Sequence, residues 1–306
     1  MYLPNIGINS RWTADGITVA GGNGGGSALN QLYYPWSVSI DDDQTIYIAD
    51  YYNHRIVEWR QGAIVGRVVA GGNGAGNGND QLNGPVNVIL DKQNDCLIIS
   101  DYNNRRVMRW ARRNGAYGET IVSNVDCWGL MIGNDGCLYV SDVAKQEVRR
   151  WTLGEINGTL VAGGNGTGNR PHQLNQPHYI FVDQYQSIYI SDCLNHRVMK
   201  WMKGAKEGIV VAGNQGPGNA LRQLFCPRGL VVDQLETVYI ADQNNHRVLR
   251  WPKGATEGNI ILGRSGRGGG TNQFNDPLDL AFDQENNFYI VDQSNHRVQK
   301  FNIDLH

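Results

Sequence analysis

Tyr189-Ile-Ser-Asp-Cys-Leu-Asn-His-Arg-Val-Met-Lys-Trp201 is one of six near-copies of a single phrase. The others run over Tyr47–Trp59, Ile98–Trp110, Tyr139–Trp151, Tyr239–Trp251 and Tyr289–Phe301. Each carries a shared aspartate: Asp50, Asp101, Asp142, Asp192, Asp242 and Asp292, at successive spacings of 51, 41, 50, 50 and 50 residues. A period of that length, built from short strands and glycine turns, is the signature of a closed radial array. Around the phrase, Pro177–Asp183, Ser187–Ser191, His196–Trp201 and Ile209–Ala212 read as four short strands joined by turns, an antiparallel meander. No stretch shows helical periodicity.

The ends of the chain predict how the array closes. The sixth copy stops after its third strand, and Trp12–Gly22 reads as a fourth strand with no unit of its own. Pairing the two removes both open edges. The expected fold is therefore an all-β, six-bladed β-propeller of four-stranded antiparallel blades, one domain over residues 1–306, with the N-terminal strand completing the last blade.

The Asp-x-x-Asn-His-Arg-Val phrase resembles the NHL repeat, and the resemblance covers nearly the whole chain. Asn-His-Arg stands at 53–55, 195–197, 245–247 and 295–297, Asn104-Arg-Arg106 takes its place in blade two, and blade three departs with Lys145-Gln-Glu147. The resemblance implies the same six-bladed propeller.

Residues that recur in every blade read as structural. Asp192 suits acceptance of turn N–H groups, Asn195 a turn conformation, Arg197 a carboxylate partner, and Trp201 a place between blades. His54, His196, His246 and His296 lie on different blades of a ring, too far apart for a metal set. Function is therefore sought where blades differ. At the start of the innermost strands stand Trp36, Val86, Trp128, His178, Arg228 and Leu278, followed by Ser37, Asn87, Gly129, Tyr179, Gly229 and Asp279. These positions should ring one mouth of the central channel. Trp36, Trp128, His178, Tyr179 and Arg228 suit a flat polar ligand, either exposed to it or simply plugging the channel. Asp279, Ser37 and Asn87 offer three oxygens to a hard cation such as calcium.

The same positions weigh against the enzymes of similar fold. In the peptidyl-hydroxyglycine lyases, zinc is held by histidines that follow prolines on inner strands. Pro177-His178 matches once, and zinc needs about three protein ligands. Gluconolactonase-like propellers need several acidic or amide ligands, where Asp279 and Asn87 alone are evident. RNA binding, as in the NHL domains of tripartite-motif proteins, needs a basic face. Here the net charge is −2, and loop cations Arg112, Arg113, Lys203, Lys206 and Lys253 interleave with Glu119, Glu155, Glu207 and Glu257. The reading is a non-catalytic, monomeric binding or scaffold module for a protein, peptide or glycan, with no cofactor. The alternative is a metal-dependent lyase or hydrolase holding one calcium or zinc ion in the channel mouth.

Five lead-in loops are long and glycine-rich, but blade three has only Ser123-Asn-Val-Asp-Cys127. That gap explains the short spacing and predicts a notch in the rim beside Trp128. No run of about 20 apolar residues suits a membrane span, and Met1–Ile6 lacks the regions of a signal peptide. Two Asn-Gly-Thr triplets, at Asn157 and Asn165, point instead to an extracellular protein. Cys193 and Cys226 should share a face and could pair or remain free thiols.

Overall fold

The computed structural model describes residues 4, 6–7, 9–113, 115–152 and 154–304. Six four-stranded antiparallel sheets are arranged as blades. Their innermost strands are Pro35–Ile40, Pro85–Asp91, Cys127–Ile132, Pro177–Val182, Pro227–Val232 and Pro277–Phe282. Each contacts the next, and the last contacts the first, so the ring is closed. Ile17–Gly21 supplies the outermost strand of blade six, with Ile17 opposite Lys300 and Gly21 opposite Arg297. Just before it, Arg11–Trp12 pairs with Ile303–Asp304, a second clasp between the two ends of the chain. Trp12 then packs on Tyr239 of blade five and on Phe282 and Phe288 of blade six.

The second strand of every blade is buried along its whole length or nearly so, which is why its sequence is an apolar run and not an alternation. The phrase-ending Trp59, Trp110, Trp151, Trp201 and Trp251, with Phe301 in blade six, are buried among the apolar side chains of neighbouring strands.

The shared phrase folds into a turn whose left-handed residue is the histidine itself, at φ 52° for His54 and 54° for His196. In blade one the Asp50 carboxylate accepts from Tyr33 N–H at 2.7 Å, Asn53 at 2.8 Å and Arg55 Nε at 2.7 Å. Arg55 also donates to the carbonyls of Ser27, Ala28 and Gln31 in the lead-in loop. The Asp–Asn–Arg triad is thus a clamp that fastens each glycine-rich loop onto its blade, and it recurs with Asp101, Asp192, Asp242 and Asp292.

Blade three lost the loop and the clamp together. Glu147 stands where the arginine would be and pairs with Arg149 at 2.7 Å, while Asp142 takes Lys145 at 3.3 Å. Arg149 occupies the place of the fully buried Met108, Met199 and Leu249 of other blades. The uncovered flank became polar. The notch exists as a cavity of about 420 Å³. It opens on Asp142, Arg149 and Trp151 at the flank of the blade, and not beside Trp128. A one-dimensional reading of the gap misplaced it, because the missing loop runs outward over the third and fourth strands. In the blades that keep it, Gly66 N–H bonds Leu29 O and Gly208 N–H bonds Pro171 O.

Cys193 and Cys226 form a disulfide between blades four and five. Among the described residues, no helix is long and apolar enough to cross a membrane.

Candidate binding site at the channel mouth

Every innermost strand starts with an irregular register against its neighbour. The breaks fall at Pro35/Ser37, Pro85/Asn87, Cys127/Leu130, Pro177/Ile180, Pro227/Leu230 and Pro277/Leu280. Bulges of this kind re-aim side chains at the end of a sheet. They carry all of the sequence-predicted mouth residues.

The structure divides these residues into two groups. Trp36, Trp128, His178 and Arg228 pack on one another at the mouth. Ring centroids lie 4.9 Å apart for Trp36–Trp128 and 4.1 Å for Trp128–His178, and the Arg228 guanidinium sits over Trp128 at 5.4 Å. Arg228 contacts His178 Nδ1 at 2.6 Å and Gln243 Oε1 at 2.6 Å. Below them, Tyr179 reaches from blade four across to blade one and donates its hydroxyl to Trp36 O at 2.7 Å. Gly129 beside it is obligatory, since a Cβ there would strike the His178 carbonyl oxygen. The mouth is therefore plugged. Sequence reasoning allowed that these rings are exposed, but Trp128 and Tyr179 are buried against Val86 and Val143. Six strands converge so tightly that large side chains fill the opening.

Burial, helped by the Arg228 charge, holds His178 well below its ordinary value, so the imidazole is neutral. Part of Arg228 reaches the surface, yet enough protein surrounds its guanidinium to lower it to about 10. A cation this close to His178 opposes a second cation on the same ring, so the imidazole is poorly placed to hold zinc.

Ser37, Asn87, Asp279 and Tyr179 line a separate cavity of about 210 Å³ that follows the inner strands away from the plug, towards Pro4. Asp279 accepts from Val38 N–H at 3.1 Å and Leu280 N–H at 2.9 Å. Burial raises its carboxyl to about 7, against the pull of those N–H groups and the Ser37 hydroxyl. Asn87 Oδ1 is buried with no hydrogen-bond partner. The three residues do share one wall, as the sequence predicted. They fit calcium poorly, because both carboxylate oxygens are engaged and a hard cation takes 6–8 oxygens. Among the described residues, no group of three or more His, Cys, Asp or Glu is placed to hold a metal ion.

Sequence reasoning missed the exposed end of the mouth face. Tyr33 and Tyr34 precede Pro35, Tyr51 and Tyr52 follow Asp50, and Tyr102 follows Asp101. Their rings join the plug in an unbroken series of contacts: Tyr33–Tyr52, Tyr52–Tyr51, Tyr51–Trp36, Trp36–Trp128 and Trp128–His178, with Tyr102 also on Trp128. Tyr52 is 54% exposed and Tyr33 41%. The available signal was the position after the shared aspartate, which reads Tyr51, Tyr102, Val143, Cys193, Gln243 and Gln293 around the ring and varies where the aspartate does not.

Known structures repeat this architecture. A structural genomics protein of unknown function from Bacteroides thetaiotaomicron superposes with a TM-score of 0.75 at 16% identity, over 95% of this chain and 76% of its own. An auxiliary nutrient binding protein from the same organism gives 0.71 at 17%, over 98% and 79%. A gluconolactonase from Xanthomonas campestris gives 0.64 at 13%, over 99% and 97%. At such identities the likeness is one of fold. No curated protein matches the chain in sequence. The NHL repeat family matches residues 32–59, 226–251 and 274–301, which hold the phrase of blades one, five and six. The chain thus carries NHL repeats in blades one, five and six, and the same phrase recurs in the other three blades of the ring.

Proposed function

We propose that this propeller is a non-catalytic binding module whose ligand lies on the aromatic track of the mouth face. The carrying observation is the continuous series of rings from Tyr33 to His178, with its exposed end at Tyr33 and Tyr52. Tyrosine offers a rigid apolar face and a hydroxyl at low entropic loss, which suits a saccharide or an extended peptide. The likeness to an auxiliary nutrient binding protein agrees with a binding role. Arg228 at the far end of the track adds a charged donor. Outside the cell, the Cys193–Cys226 disulfide would persist. Asn157 is exposed for glycosylation, whereas Asn165 engages its amide with Gly163 O and His172 O inside its loop.

The test is a glycan and peptide array probed with the protein and with Tyr33→Ala/Tyr52→Ala. Both side chains lie at the surface, outside the buried plug, so the variant should fold, and it should lose binding at least tenfold. Equal binding by the variant would place the ligand elsewhere. Trp128→Ala is the poorer probe, because it removes a buried ring and costs about 3–5 kcal/mol of stability.

The enzyme reading rests on Asp279, a buried carboxyl near 7 facing a cavity. Such a group is suited to proton transfer. The gluconolactonase likeness points the same way. Lactone hydrolysis by the wild type that disappears in Asp279→Asn would favour it over binding alone.

A further inference from the structure

The outer face of blade five carries a second site with different chemistry. A cavity of about 780 Å³ lies between its outermost strand Asn259–Leu262, the following residues Gly263–Ser265, and the N-terminal segment Asn9–Trp12. Arg11, Arg250 and Arg264 line it with Asn259, Asn272 and Ser265, and no carboxylate is among the lining residues.

The repeat supplies an internal control. The position of Arg250 is held in the other blades by Glu58, Arg109, Arg150, Lys200 and Lys300. Each of those five forms an ion pair: Glu58 with Arg67, Arg109 with Glu119, Arg150 with Asp135, Lys200 with Glu236 and Lys300 with Asp283. Arg250 forms none among the described residues. Glu236 holds Lys200 and also Lys253 across the seam between blades four and five. One blade on, the matching position is Asn286, whose carbonyl accepts the Trp12 indole. The seam thus exchanged a carboxylate for an amide and admitted the N-terminal segment. Arg250 Nη1 reaches Ser10 O at 3.0 Å, and its Nε is buried with no partner. Among the described residues, Arg264 donates only to Ile260 O, and Arg11 is exposed and makes no ion pair.

We propose that this groove binds an oxyanion, a phosphoryl or sulfuryl group carried on a polar molecule. Guanidinium forks match such groups with paired, charge-assisted hydrogen bonds. The Asn and Ser side chains suit the hydroxyls of the molecule that bears it. The site is independent of the aromatic track and of the channel.

Isothermal titration at low ionic strength, with pyrophosphate in one arm and sucrose octasulfate in the other, tests the proposal. Binding of either is expected, and the tighter arm identifies the group. The Arg11→Gln/Arg264→Gln variant alters exposed positions only and should weaken that binding at least tenfold. Arg250→Gln should do likewise, and added salt should weaken the wild type. The proposal is overturned if the wild type binds neither probe, or if the double variant binds as the wild type does.

Discussion

His246 accepts the Asp276 N–H through Nδ1 at 3.2 Å, as His196 does for Cys226 and His296 for Tyr34. In blade three the same bond is made by Gln146 Oε1 with Gln176 N–H, at 2.6 Å. The motif histidine is therefore an acceptor that staples one blade to the next, and an amide oxygen can replace it. Burial holds His246 below its ordinary value. On acidification the unfolded chain takes up the proton first. The stability contributed by the neutral ring is therefore full above about pH 6.5 and is lost as the pH falls below it. His246→Gln should match the wild type at pH 7 and lose less stability between pH 7 and 5. His246→Ala should be about 1–2 kcal/mol less stable at pH 7, with a backbone N–H left unmet. Denaturant titrations at the two pH values check both expectations.

At the scale of the element, loop and clamp form one unit. Arg197 is 2% exposed in its side chain, bonds Asp192 at 2.7 Å, and holds the carbonyls of Asn169, Arg170 and Gln173. Arg197→Met should cost about 3–5 kcal/mol, because it leaves a buried carboxylate without its counter-charge. Amide exchange should rise over residues 163–176. Glu147→Arg in blade three should gain nothing, since no lead-in carbonyls await the new guanidinium. Exchange protection that is unchanged in Arg197→Met would show that the loop holds itself. The blades were legible in the sequence because their strands, turns and shared aspartates are local and recur. The mouth was legible only as positions. Which of Trp36, Trp128 and His178 touch depends on the radius of the ring and on the bulges that turn them inward, and neither is written in any single repeat. Tyr33, Tyr34, Tyr51 and Tyr52 escaped notice because they come from two loops of blade one that meet only when its strands pair, and Tyr102 reaches Trp128 from blade two.

At the scale of the whole molecule, closure rests on chain ends that are far apart in sequence. Removing residues 1–21 would strip the outer strand from blade six and leave Arg297–Phe301 with an open edge, while also removing Trp12 and Ile6 from their cluster. The shortened chain should melt at a lower temperature and self-associate through that edge. Calorimetry and sedimentation velocity at two concentrations would show it, and an unchanged monomer would mean that the ring closes without its clasp. The absent lead-in loop of blade three has a further consequence. A ring of six like units offers a flat partner six rotational settings that are nearly degenerate. One bare flank makes those settings unequal and acts as an index mark. Holding one orientation nine times in ten against five others takes a preference of RT ln 45, about 2 kcal/mol, the size of one charge-assisted hydrogen bond. A single contact in the notch supplies that much, so this near-symmetric disc can be read in one absolute orientation.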